Sequence, residues 1–324
     1  MSDERIVIGG ASGFIGSRLA TAFRADGAEV VTVGHGVGSD LRWEEPDRLR
    51  AAVDGAALVI GLAGKSVNCR YTARNRAELV RSRVETTRAM AAAIAAAEAP
   101  PPLWMNASTA TIYRHADDRP QTEADGELGT ELFSEDLART WEAELFTPAL
   151  PATRRVALEI TIVLGDGGAL APLARLARLG LGGANHDGWW PAAPGRRAAR
   201  TYLRPRTRGG RQRFSWIHLD DVEGIVRFIR DHPEIEGRVI LGTPEPTDNR
   251  SFMAALRRAV GARIGLPTSR WMLELGSMAM GTEAELVLKS RWVLPAKLLD
   301  AGYRFRHIDL DAAIRASLPV RSAA

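Results

Sequence analysis

The segment Gly9-Gly10-Ala11-Ser12-Gly13-Phe14-Ile15-Gly16 constrains the fold most. It lies between a β-branched run, Arg5–Gly9, and an amphipathic stretch carrying Leu19, Ala22 and Phe23. Gly10, Gly13 and Gly16 have GxxGxxG spacing. The first glycine permits a tight turn, the second a close approach of backbone to a diphosphate, and the third close packing of helix on strand. The helix mouth adds unpaired N–H groups and the positive end of a dipole. A tight turn with no ligand would need the same glycines. The preceding strand and following helix favour a dinucleotide, with Gly10, Ser12, Gly13, Phe14, Ile15 and Gly16 around its diphosphate.

The second strand, Glu29–Val33, runs into Gly34-His35-Gly36. An NAD site usually has an acid there to accept the ribose 2′-OH. No carboxylate stands at that point, so NADP(H) is expected over NAD(H). His35 would lie near the 2′-phosphate or serve only as a loop residue; Arg70 or Arg74 could supply the charge instead.

Further strands are expected at Ala57–Leu62, Leu103–Ala107, Arg154–Val163 and Arg238–Leu241, and helices at Pro46–Val53, Ala73–Glu98, Leu132–Phe146, Ala171–Leu179 and Asp220–His232. The β–α alternation predicts an α/β fold: a Rossmann-like, doubly wound parallel sheet with a smaller C-terminal substrate region. The expected division is 1–164 for the dinucleotide and 165–324 for substrate, the latter interleaved with the sheet near 210–245. Gly182–Gly210 is expected to be a long loop.

Several segments resemble the extended short-chain dehydrogenase/reductases. Ser39-Asp40-Leu41 resembles the element whose aspartate meets the adenine amino group. Leu62-Ala63-Gly64 resembles the element that closes over the cofactor after the fourth strand. Ser108-Thr109-Ala110-Thr111-Ile112-Tyr113 resembles the segment with the catalytic Ser/Thr, and Ser215–Asp221 (SWIHLDD) resembles the (W)IHxDD element. SRVETTR (Ser82–Arg88), LGLGG (Leu179–Gly183), Gly210–Asp221 and the block Thr268–Phe305 resemble more narrowly the epimerase family proteins, an atypical branch described as binding NADP(H).

The resemblance implies an NADP(H)-dependent oxidoreductase or epimerase whose substrate the sequence does not name, with a nucleotide-sugar-like molecule as the family's example. The alternative is a catalytically degenerate NADP(H)-binding regulatory or scaffold protein. The wider family uses a tyrosine, with a lysine four residues on, to move the proton; a free phenol is a poor base at neutral pH. Here Phe133 and Leu137 fall at those positions. Three readings follow. Thr109 or Ser108 polarises a carbonyl while Tyr113 handles the proton; His218 does acid–base work; or no chemistry occurs. Tyr113 could equally be structural, and His218 a wall of the substrate site beside Trp216. Asp220 and Asp221 are expected to cap the following helix. Glu159, where relatives often have arginine, needs a buried partner.

The net charge of +4 is uneven: eight arginines and no acid lie between Gly195 and Arg213. With Trp189-Trp190 they could bind an anion or single-stranded nucleic acid; a solvated loop or oligomer contact is preferred. The expected partner is a small-molecule substrate, with no nucleic acid; whether the chain forms a homo-oligomer is left open. One cysteine, Cys69, leaves no disulfide within the chain. With no long apolar run and a charged start, a cytoplasmic protein without membrane association is expected. His115, His186, His232 and His307 show no ligand spacing, and no metal is expected.

Overall fold

The computed structural model describes residues 4–318. Its centre is a seven-stranded parallel sheet. The strands, in chain order, begin with β1 (Arg5–Gly9), β2 (Glu29–Gly34), β3 (Leu41–Arg42), β4 (Leu58–Gly61), β5 (Leu103–Thr109) and β6 (Arg154–Ile160). They continue with β7 (Ile162–Leu164), β8 (Arg213–Phe214), β9 (Trp216–His218), β10 (Gly237–Leu241) and β11 (Thr247–Asp248). Across the sheet the order is β3-β2-β1-β4-β5-β6-β10. The order reverses between β1 and β4, the point at which ligands bind outside the strand C-termini in such sheets.

β1 and β4 are buried along almost their whole length, as expected of strands covered on both faces. One face is covered by α1 (Phe14–Ala25), and the other by α2 (Pro46–Val53), α3 (Ala73–Ala95) and α4 (Phe133–Phe146). Next come α5 (Leu170–Arg178), α6 (Pro194–Ala198) and α7 (Leu219–Asp231), which joins α1 on its face.

The expected Arg154–Val163 strand is two strands. At Thr161 both the amide and the hydroxyl turn to the Leu241 carbonyl, at 3.1 and 2.8 Å. The chain leaves the main sheet there, and β7 pairs with β9 instead. The two-residue β3 was not anticipated; it places Leu62-Ala63-Gly64 after the fourth strand, where the resemblance put it.

The 182–210 loop holds the short α6 and is tied down along its length. Arg196 pairs with Glu274 and Glu283, Arg200 with Asp136, and Arg206 with Glu131. Three of the eight arginines are thus neutralised within the chain. Arg200 sits at φ 55°, and its carbonyl accepts from the Phe133 amide at 2.8 Å. The loop is therefore a strap across the mouth of α4.

Candidate functional site

The glycine turn is fixed from both sides. Gly10 donates to the Val33 carbonyl and Leu62 to the Gly9 carbonyl, each at 2.8 Å. Gly10 has φ +78°, and a Cβ there would lie 2.8 Å from backbone of Leu62 and Ala63. A Cβ at Gly16 would meet the Gly10 carbonyl at 2.4 Å. Gly13 is the N-cap of α1 and offers no side-chain cap. The first amides of α1, Phe14 and Ile15 among them, lack intrahelical partners by helix geometry. Phe14 packs its ring under Gly165–Gly168, and Ser12 is exposed at the mouth. These are the features of a cradle for a diphosphate.

Around the end of β2, Asp40 accepts from the Thr32 amide at 2.8 Å and its hydroxyl at 2.7 Å. Those bonds hold the carboxyl below its ordinary range. Both use the same oxygen, Oδ2, which leaves Oδ1 for a further donor. Leu41 is buried beside it in β3. His35 and Glu44 are both exposed, with Nδ1 3.3 Å from Oε1. The acid missing from the end of β2 is thus partly replaced by one beyond β3. Arg70 lies elsewhere: it donates to the Thr282 carbonyl and pairs with Glu283.

Sequence reasoning missed Arg83. It is only 8% exposed, stacks 4.9 Å from the Trp141 ring centroid and donates to the Leu79 carbonyl at 3.0 Å. Its guanidinium lies against Gly64, where an added Cβ would be 3.2 Å from Cζ. Burial lowers its pKa to about 10, so it stays charged at neutral pH, and no carboxylate contributes to that value. Among the described residues it makes no ion pair, and a buried cation without a counter-ion is costly; its place beside Gly64 is just beyond the end of β4. Its signal was the SRVETTR segment, read as a family mark and not as a side chain.

In the catalytic segment, Thr109 is half-buried at the end of β5. Its oxygen accepts from the Thr111 amide at 3.2 Å, so its hydroxyl hydrogen is free to donate. Ser108 does not share that aspect: it is buried and donates to Glu142 at 2.6 Å. Tyr113 is 3% exposed and donates to Glu159 at 2.7 Å. Burial and then Glu159 push its phenol upward, and its O–H is already committed to Glu159, so it has none to offer a substrate. The geometry therefore corrects both expectations: these hydroxyls face a buried carboxylate cluster. It also supplies the partner of Glu159. Arg238 Nε lies 2.6 Å from Glu142 and 3.6 Å from Glu159. One guanidinium serves two carboxylates, and burial with Glu142 nearby raises Glu159 well above the usual range.

Trp216 and His218 also stand apart from an open cleft. Trp216 is 0% exposed, packed in the core with Leu164 and Phe252. His218, not an aspartate, caps α7: its Nδ1 accepts from the Asp220 amide at 3.2 Å. Asp221 instead clamps the C-terminal region, accepting from the Arg306 and His307 amides at 2.7 and 3.0 Å. His218, Asp220 and His307 bring ligand atoms within 4.8 Å of one another, a grouping hidden by chain separation. The His218 lone pair is already used by the cap, and Arg18 pairs with Asp220 at 3.0 Å. Among the described residues no helix is long and apolar enough to cross a membrane.

Comparison with known proteins agrees with this geometry. Residues 6–131 match the NAD dependent epimerase/dehydratase family, and residues 268–317 a domain of unknown function, DUF1731. The epimerase family protein SDR39U1 of Bos taurus is 30% identical over 320 residues, covering 96% of this chain and 98% of its own. YfhF of Bacillus subtilis, also an epimerase family protein, is 27% identical over 95% of this chain and 96% of its own. The crystal structure of human SDR39U1 with NADPH superposes with a TM-score of 0.81 at 28% identity, covering 97% of this chain and 98% of that one. Thermus thermophilus UDP-glucose 4-epimerase, at 16% identity and a TM-score of 0.70 over 97% of each chain, shares the fold.

Proposed function

The chain belongs to the NAD-dependent epimerase/dehydratase family, and from that premise we propose that it is an NADP(H)-dependent oxidoreductase or epimerase. The observation that carries this reading is the turn at Gly10, whose left-handed backbone and contact with Leu62 and Ala63 leave no room for a side chain. Bare amides there suit a diphosphate. Gly10, Gly13 and Gly16 would cradle it with the amides of Ser12, Phe14 and Ile15. Asp40, through its second oxygen, would receive the adenine amino group beside Leu41. Leu62, Ala63 and Gly64 would line the nicotinamide half, and Arg83 would meet an oxygen-rich, anionic part of the ligand there.

The cofactor, when bound, supplies or accepts a hydride at a carbon bearing oxygen. The chain's own part is to hold that carbon and move a proton. Thr109 would donate its free hydroxyl hydrogen to the substrate oxygen and polarise the carbonyl.

NADP(H) is favoured over NAD(H) because β2 ends without an acid, and the exposed His35 after it would lie near the 2′-phosphate. Human SDR39U1, similar over nearly its whole length, was crystallised with NADPH. Glu44 opposes a 2′-phosphate and must turn from His35 to admit it; both side chains are exposed enough to do so. Tryptophan-fluorescence titration with NADPH and NADH tests this. NADPH is expected to bind more tightly, Glu44→Gln to widen the gap and His35→Glu to close it. Equal affinities unchanged in both variants would contradict the preference.

The absence of a Tyr–Lys pair on α4 favours the second reading, a dinucleotide-binding regulatory protein. It predicts NADPH binding with no turnover of any carbonyl or sugar nucleotide and no change of product stereochemistry.

A further inference from the structure

We propose that Tyr71 is the proton carrier of this centre, its phenol standing against α4 where Phe133 and Leu137 carry no chemistry. The proposal rests on the nicotinamide reading above.

The chain has four tyrosines. Three have their hydroxyls committed: Tyr113 to Glu159, Tyr202 to the Trp190 carbonyl and Tyr303 to Asp221. Tyr71 is 4% exposed, and its hydroxyl is not among the fully buried atoms: it makes no hydrogen bond to another described residue and keeps contact with solvent, free to meet a ligand. The ring packs edge-on to Phe133, centroids 5.3 Å apart, and shares a cluster with Leu137. These are the two positions at which the wider family would place its tyrosine and lysine. The backbone of Tyr71 is clamped: its amide donates to Glu283 and its carbonyl accepts from Arg76, each at 2.8 Å.

The charged groups that face the phenol come from every side of the site. Glu283, Glu285 and Arg291 belong to the C-terminal region, Cys69 to its own loop and Arg83 to α3. Arg291 also donates to Thr111 Oγ1 at 3.0 Å, two residues from Thr109. The phenol therefore shares one cation with the catalytic segment and another with Gly64. Burial holds it protonated in the empty protein, as a proton donor requires.

In reduction, the phenol O–H breaks and its proton goes to the carbonyl oxygen. The carbonyl carbon accepts a hydride from reduced nicotinamide dinucleotide, and the phenolate regains a proton from water. In oxidation, the phenolate takes the hydroxyl proton as the hydride leaves for the oxidised dinucleotide. The positive charge of the oxidised ring favours phenolate.

The test is NMR of the full-length protein labelled at the tyrosine ζ-carbon, titrated with pH with and without saturating NADP+. Tyr71→Phe assigns the signal. Should that variant not fold, Tyr113→Phe, Tyr202→Phe and Tyr303→Phe assign it by elimination. With NADP+ bound, the Tyr71 signal is expected to begin its titration shift at lower pH than in the protein without NADP+. A Tyr71 signal that ignores bound NADP+ overturns the proposal alone. A wild-type protein that binds no NADP+ overturns the dinucleotide reading and this one with it.

Discussion

At Gly10 a single hydrogen decides whether the site exists. An alanine there would meet both a left-handed φ of +78° and backbone atoms at 2.8 Å. Positive φ and a contact of that kind each cost on the order of 1–3 kcal/mol. Gly10→Ala is expected to lower the melting temperature by several degrees and weaken NADPH binding by well over tenfold; Gly36→Ala, with open space around it, should do neither. Calorimetry and titration of both variants check this. Glu159 is the opposite case, a residue whose charge the fold resists. Its folded pKa is raised, so its contribution to stability is full below the usual carboxylate value and is lost as pH rises through the folded one. Glu159→Gln keeps an acceptor for Tyr113 and removes the ionisation. The variant should melt higher than wild type at pH 8, with the gap closing near pH 4. A gap that widens toward acid would show that Glu159 is ionised in the fold. Neither the Tyr113 bond nor Arg238 was legible in sequence, because Tyr113 follows β5, Glu159 lies in β6 and Arg238 in β10, segments far apart in the chain that meet only when β5, β6 and β10 pair in the sheet.

Elements with strong local signals were readable. Helix α2 matches its expected bounds, Pro46–Val53, with proline at its first turn and a buried Leu49–Val53 stripe. The glycine turn was equally plain, since strand, turn and helix are contiguous in the chain. Short strands were not. β3, β8 and β11 have two residues each, too few for any periodicity. Helix α7 was expected to begin at its aspartates, but His218 caps it, because Asp221 is drawn away to hold Arg306 and His307. That cap needs a neutral imidazole. Burial, then His307, lowers the His218 pKa below its ordinary 6.5. The unfolded chain therefore takes the proton first, and stability should fall as pH drops below about 6.5. His218→Asn keeps a capping acceptor and should flatten that dependence, while His218→Ala should cost about 1 kcal/mol at pH 8. Melting curves between pH 5 and 8 measure both.

Across the whole molecule, the C-terminal region reaches back over the strand ends. Lys289 is buried and bonds the Thr111 carbonyl and Glu135 at 2.7 Å each, joining the catalytic segment to α4. The arginine strap lies over the same helix mouth through Arg200 and Arg206. Composition marked that strap as basic but could not reveal that acids from distant segments neutralise part of it. Replacing Arg200 and Arg206 together with alanine should quicken proteolysis within 187–206 while moving the melting temperature little, because both pairs are partly exposed. Unchanged cleavage would mean that the strap is held by other contacts.

All of these parts serve a ligand laid across the point where β1 and β4 diverge. The most direct measurement is a crystal of the protein soaked with NADPH. Difference density for a diphosphate is predicted over the amides of Ser12 to Ile15, with the nicotinamide ribose beside Gly64 and Arg83. A fully soaked crystal with that cradle empty, or with the dinucleotide bound at another face, would contradict the account.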